Sequence, residues 1–166
     1  MTQVISFSNL DITIEEHDER VIYTFVGEVD ENFSHKRVPN IAKNTIELRL
    51  GEIEQFNSVG IREWIFMIQH LKTKGQLVLR DCSVAVIDQI NMVPDSLGNG
   101  IIESFYAPYY CECGIEVNKK IESVKFEDQL TQFIAPSFTC ECGRALDFDA
   151  LEESYFQFVN IMKKSS

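Results

Sequence analysis

Apolar and polar residues alternate over positions 45–50, where Ile46, Leu48 and Leu50 are separated by Glu47 and Arg49. Period two predicts a strand with one buried face. The period changes after Asn57-Ser58. Ile61, Trp64, Ile65, Ile68 and Leu71 then recur at steps of three and four, which predicts a helix with one apolar stripe. Asn57-Ser58 supplies the short polar side chains that begin such a helix, and Gly75 is expected to close it. Gln76–Arg80 resumes a strand through Leu77, Val78 and Leu79. A strand, a crossover helix and a strand of this length make a βαβ unit, whose strands should run parallel.

Around that unit the pattern is legible in both directions. Residues 3–7 and 11–15 read as short strands and 20–26 (RVIYTFV) as a stronger one. The polar EEHDE between the last two predicts a hairpin. Residues 28–40 are turn-rich and end in Pro39-Asn40, so any helix there is short. Val84, Ile87 and Ile90, with Val86 and Met92, predict a second helix over 83–92. PDSLGNG at 94–100 is a loop by composition, and 101–106 a further strand that would complete the sheet.

At Ala107-Pro108 the character changes. Weak strand signals at 115–117 and 123–126 and an amphipathic piece around Leu130–Ile134 follow. Asp149 and Glu152 have the spacing of a capping box. Leu151, Tyr155, Phe158, Val159 and Met162 then form a broad apolar stripe that must be buried against the first part of the chain. The expected organisation is an α/β domain over 1–106, a small β segment over 107–145, and a C-terminal helix over 146–166 that packs back.

Composition narrows the classes. The 166 residues carry 45% hydrophobic side chains and 12 Phe, enough for a real core. No apolar run is long enough to span a membrane, and the N-terminus lacks the basic start and apolar run of a signal peptide. A cytoplasmic location is expected. Net charge is −11 and is spread: residues 1–100 hold 15 acidic and 9 basic side chains, residues 101–166 hold 11 and 6. Nucleic-acid binding depends on Lys and Arg contacts to phosphate, so acidity in both halves favours protein partners instead.

Four of the five cysteines fall in two identical C-E-C-G stretches, Cys111-Glu112-Cys113-Gly114 and Cys140-Glu141-Cys142-Gly143. The interval from Cys113 to Cys140 contains 26 residues. Two short loops that each offer a thiolate pair match the tetrahedral demand of zinc. Glycine after the second Cys lets the backbone turn back toward the sulfurs. Two disulfides or four idle thiols are the alternatives. A cytosolic chain disfavours disulfides, and a ring closed across one intervening residue is strained. The arrangement resembles a zinc ribbon, in which C-x-x-C-G is the commoner knuckle. With four thiolates and no open position such a site is structural. Cys82, at the end of a predicted strand, reads as a small buried hydrophobe.

The stretch NSVGIREWIFMIQHLKTKGQLVL (57–79) resembles the core of the STAS family, the fold of bacterial anti-sigma-factor antagonists. There a strand ends in a D-S-x-G turn that leads into a helix, and a Gly before the next strand ends it. Gly27-Glu28-Val29-Asp30 resembles the family's upstream G-E-[IL]-D, and the likeness covers residues 10–100 or so. It implies a mixed sheet with helices and a non-enzymatic bacterial regulatory or scaffolding role. Partners would dock around Asn57, Ser58, Val59 and Gly60, and the family's serine, phosphorylated by a partner kinase, matches Ser58. A phosphate there would meet free N–H groups and the positive end of the helix dipole. Asn57 stands in place of the family's Asp and Arg49 where an Asp usually ends the strand, and the alternative is that Ser58, or Asn57, merely caps the helix.

Other chemistry is thin in this sequence. His17, His35 and His70 read as isolated, no Ser or Cys has an adjacent His that could be read as a base, and no P-loop is present. Two alternatives stay open: a small-ligand, nucleotide-type sensor on a STAS-like fold, and a zinc-ribbon nucleic-acid binder. For the second the sequence offers only Lys119, Lys120, Lys125 and Arg144. A zinc enzyme would need an open ligand position.

Overall fold

The structure is a computed structural model that describes residues 1–165. A six-stranded mixed sheet runs in sequence order through β1 (Thr2–Ser6), β2 (Leu10–Glu16), β3 (Arg20–Val29), β4 (Thr45–Phe56), β5 (Gln76–Arg80) and β6 (Ile101–Ile102). β1, β2 and β3 pair antiparallel, as the polar hairpin predicts, and β3 to β6 pair parallel. The parallel β4–β5 pair is joined by α1 (Ser58–Leu71), so the predicted βαβ unit forms. β5 reaches β6 through α2 (Val84–Met92), whose first turn is capped by the Ser83 hydroxyl on the Val86 N–H. Residues 30–44, between β3 and β4, hold only a 3-10 turn at His35–Arg37.

The two faces of the sheet differ because the sequence alternates. Ile46, Leu48 and Leu50 of β4 are fully buried on the helix side, in register with Leu77 and Leu79 of β5. Trp64 of α1 closes this core, edge-on to Phe25 at 5.2 Å and Phe56 at 5.5 Å, its indole N–H donating to the Ser96 carbonyl at 3.0 Å. The stripe on α1 is rotated slightly from the predicted one. Met67 is buried and Ile65 only half-buried, because the helix meets the sheet along Gly60, Trp64, Met67, Ile68 and Leu71. Gly75 is not the helix cap: α1 ends at Leu71, and Gly75 instead passes under the Lys43 carbonyl.

On the opposite face Glu47 is buried and gathers three arginines. Its carboxylate lies 2.8 Å from Arg49 Nε, 3.5 Å from Arg80 Nε and 3.8 Å from an Arg20 nitrogen. Its sheet neighbours in register, Ile22 and Val78, are buried too.

Residues 101–106 do not form one strand. β6 ends at Ile102, and β7 (Ser104–Tyr110) enters a second, antiparallel sheet between β8 (Glu116–Glu122) and β9 (Asp147–Phe148). β7 therefore runs straight through the expected boundary at 106–107. The turn between the sheets is held at Asp81, in the left-handed region at φ 54°. Its N–H donates to the Ser104 hydroxyl at 2.8 Å, and its carboxylate meets Lys120 of β8 at 2.6 Å. Cys82 and Phe105 form a single parallel bridge beside it, which links the two sheets. Residues 123–126 are a turn and not the weak strand expected, and a short helix, α3 (Glu127–Thr131), buries Leu130.

The C-terminal segment packs back on the first part of the chain, but as two pieces. α4 (Glu152–Tyr155) and α5 (Gln157–Ser165) are broken at Phe156. The capping box does not form: no side chain caps α4, and Glu152 turns its carboxylate to the Ala135 N–H. Leu151 points out, 75% exposed, while Tyr155, Phe156, Phe158 and Val159 are buried. The break lets successive aromatics face inward, Phe156 stacking on Phe148 at 5.2 Å and Phe158 meeting Phe105 at 4.8 Å. Asn91 of α2 donates to the Tyr155 carbonyl at 2.8 Å, tying the segment to the first sheet's helices. No helix among the described residues is long and apolar enough to cross a membrane.

Candidate metal centre and the turn at Ser58

The repeated C-E-C-G letters give a repeated structure. In the first knuckle the Cys111 N–H donates to the Ile115 carbonyl and Gly114 N–H returns to the Cys111 carbonyl, both at 2.9 Å. In the second, Cys140 N–H donates to Arg144 at 2.8 Å and Gly143 N–H to Cys140 at 2.9 Å. Gly114 and Gly143 sit at φ 99° and 90°, a backbone conformation that suits glycine, which explains why each knuckle ends in that residue. The first knuckle leaves the end of β7 and leads toward β8; the second lies just before β9, which pairs with β7. The sheet thus brings sequence-distant pairs to one place.

The four sulfurs of Cys111, Cys113, Cys140 and Cys142 all lie within 4.8 Å of one another and can hold a metal ion. Cys111 and Cys142 sulfurs are 3.5 Å apart, Cys113 and Cys140 3.7 Å, so each close pair spans the two knuckles. All four thiols are free, as is Cys82, so neither disulfide alternative forms. A tetrahedron with metal–sulfur bonds of about 2.3 Å has sulfur–sulfur edges of about 3.8 Å, which the observed spacing fits. Cys111 and Cys140 are buried and Cys113 and Cys142 exposed, so the site sits at the surface with one side walled by the sheet. The Cys142 thiol is drawn down to about 7, first by the Arg144 N–H and then by Cys111. At Cys111 a Cys113 N–H acts the same way, but desolvation and the other three sulfurs outweigh it and push the thiol up to about 12. Cys82 is fully buried, and desolvation raises its thiol far above the ordinary range, in keeping with a packing role.

The second predicted site is built differently. Asn57, and not Ser58, caps α1: its side-chain oxygen accepts from the Gly60 N–H at 2.8 Å. The Asn57 backbone N–H donates to the Val29 carbonyl at 3.1 Å, and its side-chain amide donates to Glu31 at 2.6 Å. Asn57, Ser58 and Val59 are exposed. Gly60 is not part of that surface. It is buried against β3, where a Cβ would come 1.9 Å from the Val29 carbonyl oxygen. The turn is therefore clamped to the end of β3 by contacts that only glycine permits. Asp30 beside it is buried, its pKa lowered first by the Asn9 amide, which donates at 2.7 Å, against the cost of desolvation.

Two of the histidines read as isolated are not. His35 Nδ1 lies 2.6 Å from a Glu63 carboxylate oxygen, and its ring stacks on His70 at 5.5 Å. Desolvation pushes the Glu63 carboxyl up, but the His35 N–H and ring and Arg62 together outweigh it and hold it below its usual 4.5. This cluster pins the 30–44 crossover to α1. Residue 35 is too far from 63 and 70 in the chain for any spacing rule to have joined them, and the His35/Glu63/His70 side chains do not gather into a further metal set among the described residues.

Compared with family models, with curated proteins and with solved structures, the chain has no match.

Proposed function

We propose that this chain is a non-enzymatic regulatory or scaffolding protein with a STAS-like domain, which docks protein partners at the Asn57–Val59 turn and keeps its C-terminal half folded on a structural zinc ion. The observation that carries the docking half is a turn both exposed and rigidly held. Its three leading side chains face solvent while Asn57 and Gly60 lock its backbone to Val29. A preorganised surface loses little entropy when a partner lands on it. Val59, 50% exposed at the start of α1, and Phe66, 42% exposed about two turns further on, add apolar area to it. The two short motifs behind the STAS-like reading, at 27–30 and 57–60, are in direct contact, which supports the reading.

Ser58 is exposed and its hydroxyl makes no hydrogen bond among the described residues, so a kinase could reach it. A phosphate there would gain the helix N-terminus but sit near Glu31, placing new negative charge at the rim of the docking surface. The metal half rests on four thiolates at tetrahedral spacing with no open position, the donor set and geometry zinc takes in structural sites.

Affinity capture from cells of the source organism, with the wild-type chain against Ser58→Glu and Val59→Ser, tests the docking reading. A protein retained by the wild type and lost from both variants is expected. Identical capture by all three removes the turn as the docking site. One zinc per chain in the purified protein, falling to none in Cys111→Ser, is expected for the metal half.

A further inference from the structure

A third surface belongs neither to the Ser58 turn nor to the knuckles. Two shallow depressions, about 490 and 540 Å³, share Ala150, Leu151 and Ser154 and run from the end of α2 to β9. Where they meet, Leu151 stands 75% exposed, and Met92 at the end of α2 is 71% exposed. Single exposed apolar residues are ordinary, but two large ones lining one groove are the usual centre of a contact. The groove's charged residues are all of one sign. Asp88, Asp147, Glu152 and Glu153 line it, no Lys or Arg does, and none of the four forms an ion pair among the described residues. Elsewhere the chain pairs its buried or half-buried acids, as at Glu47, Glu63 and Asp81. Asp88 has no such relief, and partial desolvation raises its carboxyl. Asn91 gives its amide N–H to Tyr155 and leaves its shielded carbonyl oxygen without a donor.

We propose that this groove binds a basic amphipathic segment of a partner protein, whose apolar residues cover Met92 and Leu151 while its Lys and Arg side chains reach the four carboxylates. An apolar centre inside an acidic rim selects for that combination. A metal ion would leave the apolar pair in water, nucleic acid and anionic lipid would be repelled, and a second copy would bring its own −11. The groove is set by the second sheet, since β9 pairs with β7 and the Asp149 N–H donates to the Pro108 carbonyl at 2.9 Å.

Fluorescence anisotropy with a synthetic helical peptide of Lys and Leu at three-four spacing, about 18 residues or five turns long, tests this on the full chain. Binding is expected for this peptide, and weakening of about tenfold or more with Leu151→Ser or Met92→Ser. Asp88→Asn combined with Glu152→Gln and Glu153→Gln should flatten the dependence on salt. Both apolar positions are so exposed that folding should be untouched, which circular dichroism checks; Val59→Ser serves as the control and should bind as wild type. The proposal is overturned if the peptide does not bind, or if a Lys–Ser peptide binds as well, which would mean charge alone. It is equally overturned if Leu151→Ser has no effect, or if sedimentation shows the groove occupied by a second copy of this chain.

Discussion

The two sheets of this molecule are held together by different means. The six-stranded sheet closes over Trp64, Tyr23, Phe25 and aliphatic side chains from four parallel strands and two helices, and its order comes from apolar area removed from water. The three-stranded sheet has no helix of its own on both faces and borrows its core from the aromatics of the C-terminal segment on one side. Its far end has one small aromatic group, Tyr109 against Phe138 at 5.2 Å and Phe148 at 5.4 Å, and then the knuckles. A region with little apolar area to bury needs a covalent or metallic staple, and the four cysteines lie where the packing thins out. With a metal in the proposed site one chain would use both solutions, and the boundary between them is a strand, not a linker.

Removing the metal should separate the two halves most sharply. Structural zinc sites contribute on the order of 10 kcal/mol to folding. Chelation, or Cys140→Ser, is expected to strip hydrogen-exchange protection from residues 111–149 while β3, β4 and β5 keep theirs. Equal loss in both sheets would show that the first depends on the second. Phe156→Ala comes next. It empties the place where the C-terminal segment meets Phe105 and Phe148 of the second sheet, and a fully buried Phe is worth about 3–5 kcal/mol. Denaturant melts should show destabilisation of that size, and a single transition would mean the halves unfold together. The smallest effect belongs to the crossover cluster. Glu63 titrates below its usual 4.5 when folded, so it contributes stability above that pH and loses it as pH falls through the lower folded value. Glu63→Gln should cost about 1 kcal/mol at neutral pH and remove that part of the acid sensitivity, read from urea midpoints between neutral and acid pH.

How well the fold could be read from the sequence follows the same division. In β4 and α1 the pattern sufficed, because alternation and the three-four stripe each follow from burying one face, and the partner face hardly matters. The knuckles were legible for another reason: a literal repeat of four residues forces a repeat of one turn. The failures share a cause. Residues 101–106 read as one strand, and only the pairing of Ile102 with Leu79 and of Phe105 with Ile121 divides them between two sheets. The break at Phe156 occurs inside a stripe that a single helix would satisfy, because the aromatics of β7 and β9 hold more of its side chains than one straight helix could present. The His35–Glu63–His70 contact is set by the path of a crossover that carries no periodic signal. The groove at Leu151 was hidden because its leucine was counted into the buried stripe.

Glu47 and its three arginines bear on how the helix-free side of the sheet stays compatible with water. One sunken carboxylate draws the cationic tips inward, and their aliphatic stems can lie along Ile22 and Val78 as a roof over oily ground. Arg80 also reaches Glu103 at 2.7 Å, so the roof is a solvated lattice of both signs, and stacking another sheet on it would strip that water away.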